Sequence, residues 1–505
     1  MASITATARK DGERVEPLVA LGEGPFQALL RDCRGNLPMW DATVIRHIVD
    51  PLESRDSRAY FLARISRRAS FFGAHLSNRQ IQFTWQLLNL LWKFEVHQEP
   101  DFGPVRTRLE ESGQTDPRGF PILDAARRRI KRLLGPAPAP DTIVPRVGPG
   151  SFVERYRGVV TDVSPWCFAA FEPVHPFPPL YTLEGVSRSA PYAHLAYVPK
   201  DVRGVRFIAL EPAARQAWQG GVREALMRRM PRDVNLEDTT DHRLLSTLPQ
   251  MGTIDLADAS DLISNSLVKF LFPPDWWMLM SMSRSPFISM PDGSVFRSGA
   301  TATMGNGFCF AMLTIVCWAL CRSVLPPDAV LSVFGDDIVV ENRYFPAVFT
   351  ALRSAGLRVN IEKSFTGPFR ETCGFDTYDG LCISPVRLRD VTIWSRWTAS
   401  GRLSSLMPNF SRELVRGLAP PKGSRWNKAL QRIEFRSWVQ VPVARRTYDY
   451  VPYRAWFCGA SSDSALRGKS ELKTRWVCDP PESHFTSLGS RIAAVGRSRY
   501  VDTRL

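Results

Sequence analysis

Two acidic segments carry the residues that could do chemistry. In Leu331 to Asn342, LSVFGDDIVVEN, two β-prone runs flank Gly335-Asp336-Asp337. The pattern predicts a hairpin with Asp at its tip, and a tight turn pushes adjacent carboxylates out at the end of a sheet. Taken alone this is also what an ordinary solvated turn looks like, since such a triplet turns up by chance in about one chain in ten of this length. The second segment, Thr253 to Ser264, TIDLADASDLIS, opens with a strand-like run ending at Asp255 and continues through Asp258 and Asp261 into a helical pattern. If this strand lies beside the hairpin, Asp255 and Asp336 converge on one point. Ligation by carboxylate oxygens suits Mg²⁺, with Mn²⁺ as the alternative, rather than zinc. Two such ions, roughly 3.5–4 Å apart, clamp the attacking and leaving oxygens of an in-line phosphoryl displacement. Asp258 is expected to cap the helix, its carboxylate accepting free backbone N–H groups.

Between the acidic segments runs Ser298 to Gly307, SGATATMGNG, followed by an apolar stretch at Phe308 to Cys321. Small residues entering a helix permit close backbone approach to a bulky ligand. Asn306 and Ser298 bring amide and hydroxyl groups suited to a ribose 2′-hydroxyl, the group that separates RNA from DNA. A Gly-rich loop before a helix is common, so this stretch decides nothing by itself.

The elements that must hold these residues are legible in outline. The N-terminal part is helical by pattern, as in Arg79 to Phe94 and the basic Ala125 to Leu134. A Pro-rich connector follows at Gly135 to Gly150. From about Tyr197, short apolar runs at Val205 to Leu210, Gly252 to Leu256 and Leu331 to Val340 read as strands between helices. They do not alternate in a βαβ rhythm, which predicts an α+β fold. The chain of 505 residues is long enough for two or three domains, and its net charge of +15 favours an acidic partner such as nucleic acid. Nine cysteines without a CxxC pair suggest neither a disulfide framework nor a zinc site. The first twenty residues lack the apolar stretch of a signal peptide, and the 308–321 run is too short to span a bilayer comfortably. The expectation is a soluble protein, with no membrane partner, that works in a cytoplasm. The seven histidines show no metal-ligand spacing, and there is no P-loop or nucleophile elbow. The last hundred residues interleave aromatic and basic side chains, among them Arg425, Trp426, Arg432, Arg436, Trp438, Arg445, Arg446 and Tyr448. Such mixing suits a single-strand groove as well as it suits a domain with Trp in its core.

The order of the pieces carries a resemblance. Asp255-Leu-Ala-Asp-Ala-Ser-Asp261, Met304-Gly-Asn-Gly307, Phe334-Gly-Asp-Asp337 and Asn360-Ile-Glu-Lys-Ser364 resemble motifs A to D of viral RNA polymerases. MGNGF, FGDDIVV and GPFRETCG at 367–374, with Tyr197-Val-Pro-Lys200 and Arg206-Phe-Ile-Ala-Leu-Glu-Pro212 upstream, resemble the replicase beta subunit of leviviruses, the small positive-strand RNA phages. The resemblance runs over roughly Tyr197 to Asp390, with the Gly-Pro-Gly at 148–150 as one further match. It implies a right-hand fold with an antiparallel palm sheet: 1–190 an N-terminal extension and part of the fingers, 191–250 fingers with a fingertip motif, 251–270 palm, 271–297 a fingers insertion, 298–390 palm, and 391–505 thumb and C-terminal region. It also implies roles. Asp255, Asp336 and Asp337 would hold two metal ions. Asp261 and Asn306, with Ser298 and Thr303 nearby, would sense the ribose. Lys200 and Arg206 would hold the triphosphate. Lys363 would protonate the departing pyrophosphate or touch its phosphates. Glu371 and Cys373 would shape a loop beneath the palm. Asp258 departs from the family pattern, where a small residue is usual.

The resemblance implies an RNA-directed RNA polymerase, with RNA template and product and ribonucleoside triphosphates as partners, working in the cytoplasm of a bacterial host. Host elongation factors Tu and Ts and a small-subunit ribosomal protein are implied in the same way. A reverse transcriptase-like palm polymerase is the first alternative, but those enzymes usually place an aromatic residue where Gly335 stands. A non-catalytic basic RNA-binding protein explains the charge and leaves the ordered acids unexplained.

Overall fold

The computed structural model describes residues 16–36, 48–57, 60–61, 76–94, 100–112, 116–146, 153 and 192–418. The Gly-Pro-Gly at 148–150 and the aromatic-basic stretch from Arg425 to Tyr448 lie outside the described residues. Contacts divide the chain into two compact units, one built mainly from 99–198 and 205–380, the other from 6–98, 199–204 and 381–505.

The first unit is α+β. Its strands are β1 (Ala193–Asp201), β2 (Gly204–Leu210), β3 (Met251–Ile254), β4 (Leu256–Ala257), β5 (Phe287–Ser289), β6 (Val295–Arg297), β7 (Leu331–Phe334), β8 (Asp337–Glu341), β9 (Arg358–Val359), β10 (Phe369–Thr372) and β11 (Phe375–Tyr378). Its main helices are α1 (Gly103–Glu111), α2 (Pro121–Leu134), α3 (Ala213–Met227), α4 (Thr240–Ser246), α5 (Ala259–Leu262), α6 (Asn265–Leu271), α7 (Pro274–Ser283), α8 (Cys309–Val324) and α9 (Phe345–Ser354). Three strands form an antiparallel sheet in the order β3-β8-β7. A second sheet runs β2-β1-β5-β6, with β1 and β5 parallel, a pairing the strand pattern did not reveal. β4 also pairs antiparallel with β9, and β10 with β11.

The core gathers on α8, which is apolar all round: eleven of its 16 residues are buried. A helix without a polar face has to be covered on several sides. Here α2, α3, α9 and β7 cover it. The basic helix α2 shows how the cover is made. Proline begins it, Leu123, Ala126, Ile130 and Leu134 turn inward, and Gly135 at φ +60 ends it. Arg229 Nη1 then donates to the freed Leu134 carbonyl at 2.8 Å. Its opposite face, with Arg127, Arg128, Lys131 and Arg132, is exposed. Beneath the sheet, buried His242 bridges Ser332 Oγ (2.8 Å) and Thr372 Oγ1 (2.6 Å), and burial pushes its pKa down to about 3.

In the second unit, helices Glu23–Asn36 and Pro408–Val415 pack together. Asp32 caps the latter, accepting from the Asn409 N–H at 3.2 Å and the Phe410 N–H at 2.8 Å. Helix Asn78–Asn89 starts at a Ser77–Gln80 capping box and exchanges two hydrogen bonds between the Gln86 side chain and the Val386 backbone. The described cysteines, six in number, are free thiols.

Candidate active site

Strand register brings the two acidic segments together. Ile254 faces Ile338, so Asp255, the next residue, leaves β3 at the end of the sheet where β7 turns into β8. Phe334 pairs with Asp337 across that turn, which puts Gly335 and Asp336 at its tip. Gly335 has φ +66, and a Cβ there would lie 2.1 Å from the Phe310 ring. Its N–H donates to Thr314 Oγ1 at 3.0 Å. Glycine is therefore required by both backbone and space.

Asp255 is fixed on two sides. The Asn360 N–H donates to its carbonyl at 2.8 Å and Asn360 Nδ2 to its Oδ2 at 2.9 Å, while Lys363 Nζ stands 3.5 Å from Oδ1. Lys363 lies in a short 3₁₀ turn, Ile361–Lys363. Burial, opposed by Lys363 and Asn360 and helped by Asp336 and Glu371, raises the Asp255 pKa to about 6. Burial, then Asp336, Asp255 and Glu371, push Asp337 up to about 8. The acids feel one another. Cys373, in the left-handed region at φ 48, shares a side-chain hydrogen bond with Asp337. Glu371 and Cys373 thus act on the acids themselves, a role their sequence context alone did not suggest.

The carboxylate donor set fits a hard divalent cation, because repulsion among gathered acids falls when such a cation enters. Asp255, Asp336 and Asp337 are the residues that would hold it. Among the described residues no three acid, His or Cys side chains stand closed around an ion position as they are. The lysine on Asp255 Oδ1 gives a physical reason, since that oxygen already faces a positive charge.

Asn306 sits before α8 and is 7% exposed; its Oδ1 accepts the Phe308 N–H at 3.1 Å, and its Nδ2 is buried without a hydrogen-bond partner. A buried amide donor left open is costly unless something arrives to accept it. Asp261, on α5, packs near the same helix start: Cys309, whose N–H bonds the Asn306 carbonyl, feels the charge of both Asp261 and Asp336. Thr303 accepts the Asn306 N–H through its carbonyl at 3.1 Å and so supports this turn. Ser298 is 2% exposed and its hydroxyl donates to Ala300 O at 3.3 Å, so its side chain holds the loop.

Two expectations need correcting. Asp258 occupies the residue before α5, but at φ 51 and with no side-chain cap; its carboxylate instead pairs with Arg358 and lies 3.8 Å from Arg108. Two guanidiniums outbid a few backbone N–H groups. The glycines of the 298–307 loop do permit close approach, but to the protein's own backbone. A Cβ at Gly299 would meet Ser112 O at 1.7 Å, and one at Gly305 would meet Ala209 O at 2.3 Å.

A family model described as RNA replicase, beta-chain, matches residues 172–393. That segment is similar to the RNA replicase beta-chain family. The RNA-directed RNA polymerase subunit beta of Escherichia virus Qbeta is 26% identical over 402 residues, covering 74% of this chain and 64% of that protein. The corresponding subunit of Enterobacteria phage SP is 36% identical over 38% of this chain and 35% of its own length. The RNA-directed RNA polymerase beta chain of Escherichia phage MS2 is 32% identical over 38% and 37%. The chain thus spans less than two thirds of the length of these relatives. Among solved structures, the RNA-dependent RNA polymerase of a human picorbirnavirus overlaps 90% of this chain and 94% of its own, at 14% identity and a TM-score of 0.43. The fold described above rests on strand order and register.

Within residues 172–393, Asp255 and Asp336 lie at one end of the β3-β8-β7 sheet, Asn306 just before α8, and Asp261 on α5 beside that helix start. Arg206 is exposed on β2. Lys200 is exposed near the end of β1, in the second unit. Neither position assigns these side chains a ligand. Arg108 and Asn360 are the contacts that sequence reasoning missed. Asn360 begins the fourth quoted motif and was within reach; Arg108 lies 153 residues before its partner Asp261, with nothing local to mark it.

Proposed function

We propose that this chain is the polymerising subunit of an RNA-phage replicase, an RNA-directed RNA polymerase that extends a strand by two-metal nucleotidyl transfer. One observation carries the reading: Asp255 and the Asp336-Asp337 tip, some eighty residues apart, reach the same sheet end and raise one another's pKa. The replicase family match agrees with it.

In this proposal Asp255, Asp336 and Asp337 present oxygens to two Mg²⁺ ions, or Mn²⁺. The chemistry supplied by ions held there is a lower pKa for the attacking 3′-hydroxyl and neutralised charge on the leaving pyrophosphate. The chain's own groups do the rest. Asn306 Nδ2 and Asp261 hold the ribose hydroxyls of the incoming nucleotide, with Thr303 fixing the Asn306 turn and Ser298 the loop behind it. Lys363 exchanges Asp255 for a phosphate oxygen and gives its proton to pyrophosphate. Lys200 and Arg206 bind the triphosphate as charge-assisted donors. Residues 1–190 extend and complete the fingers, 191–250 and 271–297 form the rest, 251–270 and 298–390 the palm, and 391–505 the thumb. RNA template, RNA product and ribonucleoside triphosphates are the partners. Elongation factors Tu and Ts and a ribosomal protein join as host subunits in the bacterial cytoplasm. Among the described residues no helix is long and apolar enough to cross a membrane.

Primer extension with purified protein, labelled ribonucleotides and Mg²⁺ or Mn²⁺, repeated with host factors added, tests this. Product is expected from the natural chain. Asp336→Asn is expected to keep RNA binding and lose extension by about a thousandfold or more. Equal extension by the variant would end the reading, and deoxyribonucleotide preference on RNA would favour a reverse transcriptase.

A further inference from the structure

Arg108 is the contact for which neither the sequence nor the family offered a role. It lies near the end of α1, and its guanidinium donates twice to one oxygen of Asp261, from Nε at 3.0 Å and from Nη2 at 2.9 Å. The third nitrogen, Nη1, stands 3.8 Å from Asp258 Oδ2, which Arg358 also holds. One arginine therefore ties α1 to the turn between β4 and α5. Asp261 Oδ1 is left facing a single weak donor, Ser260 Oγ at 3.2 Å.

We infer that Arg108 is a positioning residue for sugar selection, holding Asp261 so that Oδ1 accepts a ribose hydroxyl while Oδ2 stays bound. The inference rests on the proposed role of Asp261 and deepens it. Three physical points support it. Two N–H groups converging on Oδ2 pin that oxygen, and on so short a side chain this narrows the directions Oδ1 can take before substrate arrives. Only an ionised carboxylate has both oxygens ready as acceptors, and the Asp261 side chain is largely buried, which opposes ionisation; Arg108 supplies the opposing charge. The arginines are also not sealed in the core: Arg108 and Arg358 line a cavity of about 660 Å³ with Ser264 and Gly356. Asp258 then acts as the outer anchor, fixing the arginine without touching the nucleotide.

The test compares ribo- and deoxyribonucleotide incorporation on one RNA template, as the ratio of kcat/KM values. The natural chain must first extend with ribonucleotides; failure there removes the polymerase reading and leaves the pairing of Arg108 aside. With extension established, Arg108→Ala is expected to lower the ribo/deoxy ratio about tenfold, by raising KM for the ribonucleotide more than for its deoxy analogue. Arg108→Lys keeps the charge without the two-pronged geometry and is expected to recover part of the ratio. Asp258→Asn is expected to change it less than either. A purely structural arginine would slow both sugars alike. A ratio that stays at the natural value, or rises, in the Ala variant overturns the inference; if that variant does not fold, Arg108→Gln and Arg108→Lys carry the same comparison.

Discussion

Helix α8 and the sheet end beside it are neighbours built on opposite terms. The helix buries Met312, Ile315, Val316 and Leu320 among other apolar side chains, and its hydroxyls are bonded within the helix, Thr314 to Phe310 O at 2.8 Å and Ser323 to Ala319 O at 2.6 Å. The sheet end gathers Asp255, Asp336, Asp337 and Glu371 where each carboxylate makes ionisation of the next harder. One region is consistent at every level and gives the unit its stability. The other is held in place by that stability, and its mutual repulsion is what the proposed cation would relieve. Thr314 joins them, since its hydroxyl also accepts the Gly335 N–H.

Substitutions should separate the two regions. The largest effect is on activity alone: Asp336→Asn is expected to abolish extension while the melting temperature holds or rises, because one repelling charge is gone. Melting the same preparation used for extension checks both halves. In the helix the order reverses. Leu320→Ala removes a fully buried side chain and is expected to cost about 2–5 kcal/mol in urea unfolding, with catalysis per folded molecule little changed. Gly335→Ala sits on the boundary. A left-handed backbone and overlap with Phe310 together should cost about 1–3 kcal/mol and also misplace Asp336. The double variant with Phe310→Ala should recover part of the stability; no recovery would mean the backbone alone sets the demand.

How much of this was legible follows the same division. The α8 helix, the β7-β8 hairpin and the short strand before Asp255 could be read because each has a local signature: an unbroken apolar run, a turn glycine between β-prone runs, a strand-like stretch ending in an acid. Their boundaries in the structure differ by at most three residues. The pairing of Asp255 with Asp336 needed a register that no local pattern states, so it stood as a conditional until strand order supplied it. Asp258 was misread because capping is a local rule, whereas its carboxylate answers to Arg358, a hundred residues on. The glycines at 299 and 305 were misread for a related reason. Small residues announce a close approach without saying to what, and here the neighbour is the protein's own backbone. Arg108 could not be found at all, since a bond across 153 residues leaves no trace in spacing.

The smallest expected effect is also the sharpest on the comparison. Asp255 and Asp337 have folded pKa values near 6 and 8, above their ordinary value of 3.8. The folded chain therefore holds protons that the unfolded chain releases earlier. Their favourable contribution is complete below about pH 4 and is lost as pH rises through 6 and then 8. Metal-free protein should melt lower at pH 8.5 than at pH 5.5, by about 1–2 °C for each kcal/mol so lost. Asp337→Asn should flatten the upper part of that slope, and Leu320→Ala should shift the whole curve down without changing its shape. Adding Mg²⁺ should raise the melting temperature more at pH 8.5 than at pH 5.5, because only the ionised acids attract it. A natural chain whose melting temperature is flat between those pH values, with or without Mg²⁺, would show that the acids at the sheet end do not strain one another, and the contrast with α8 would lose its physical basis.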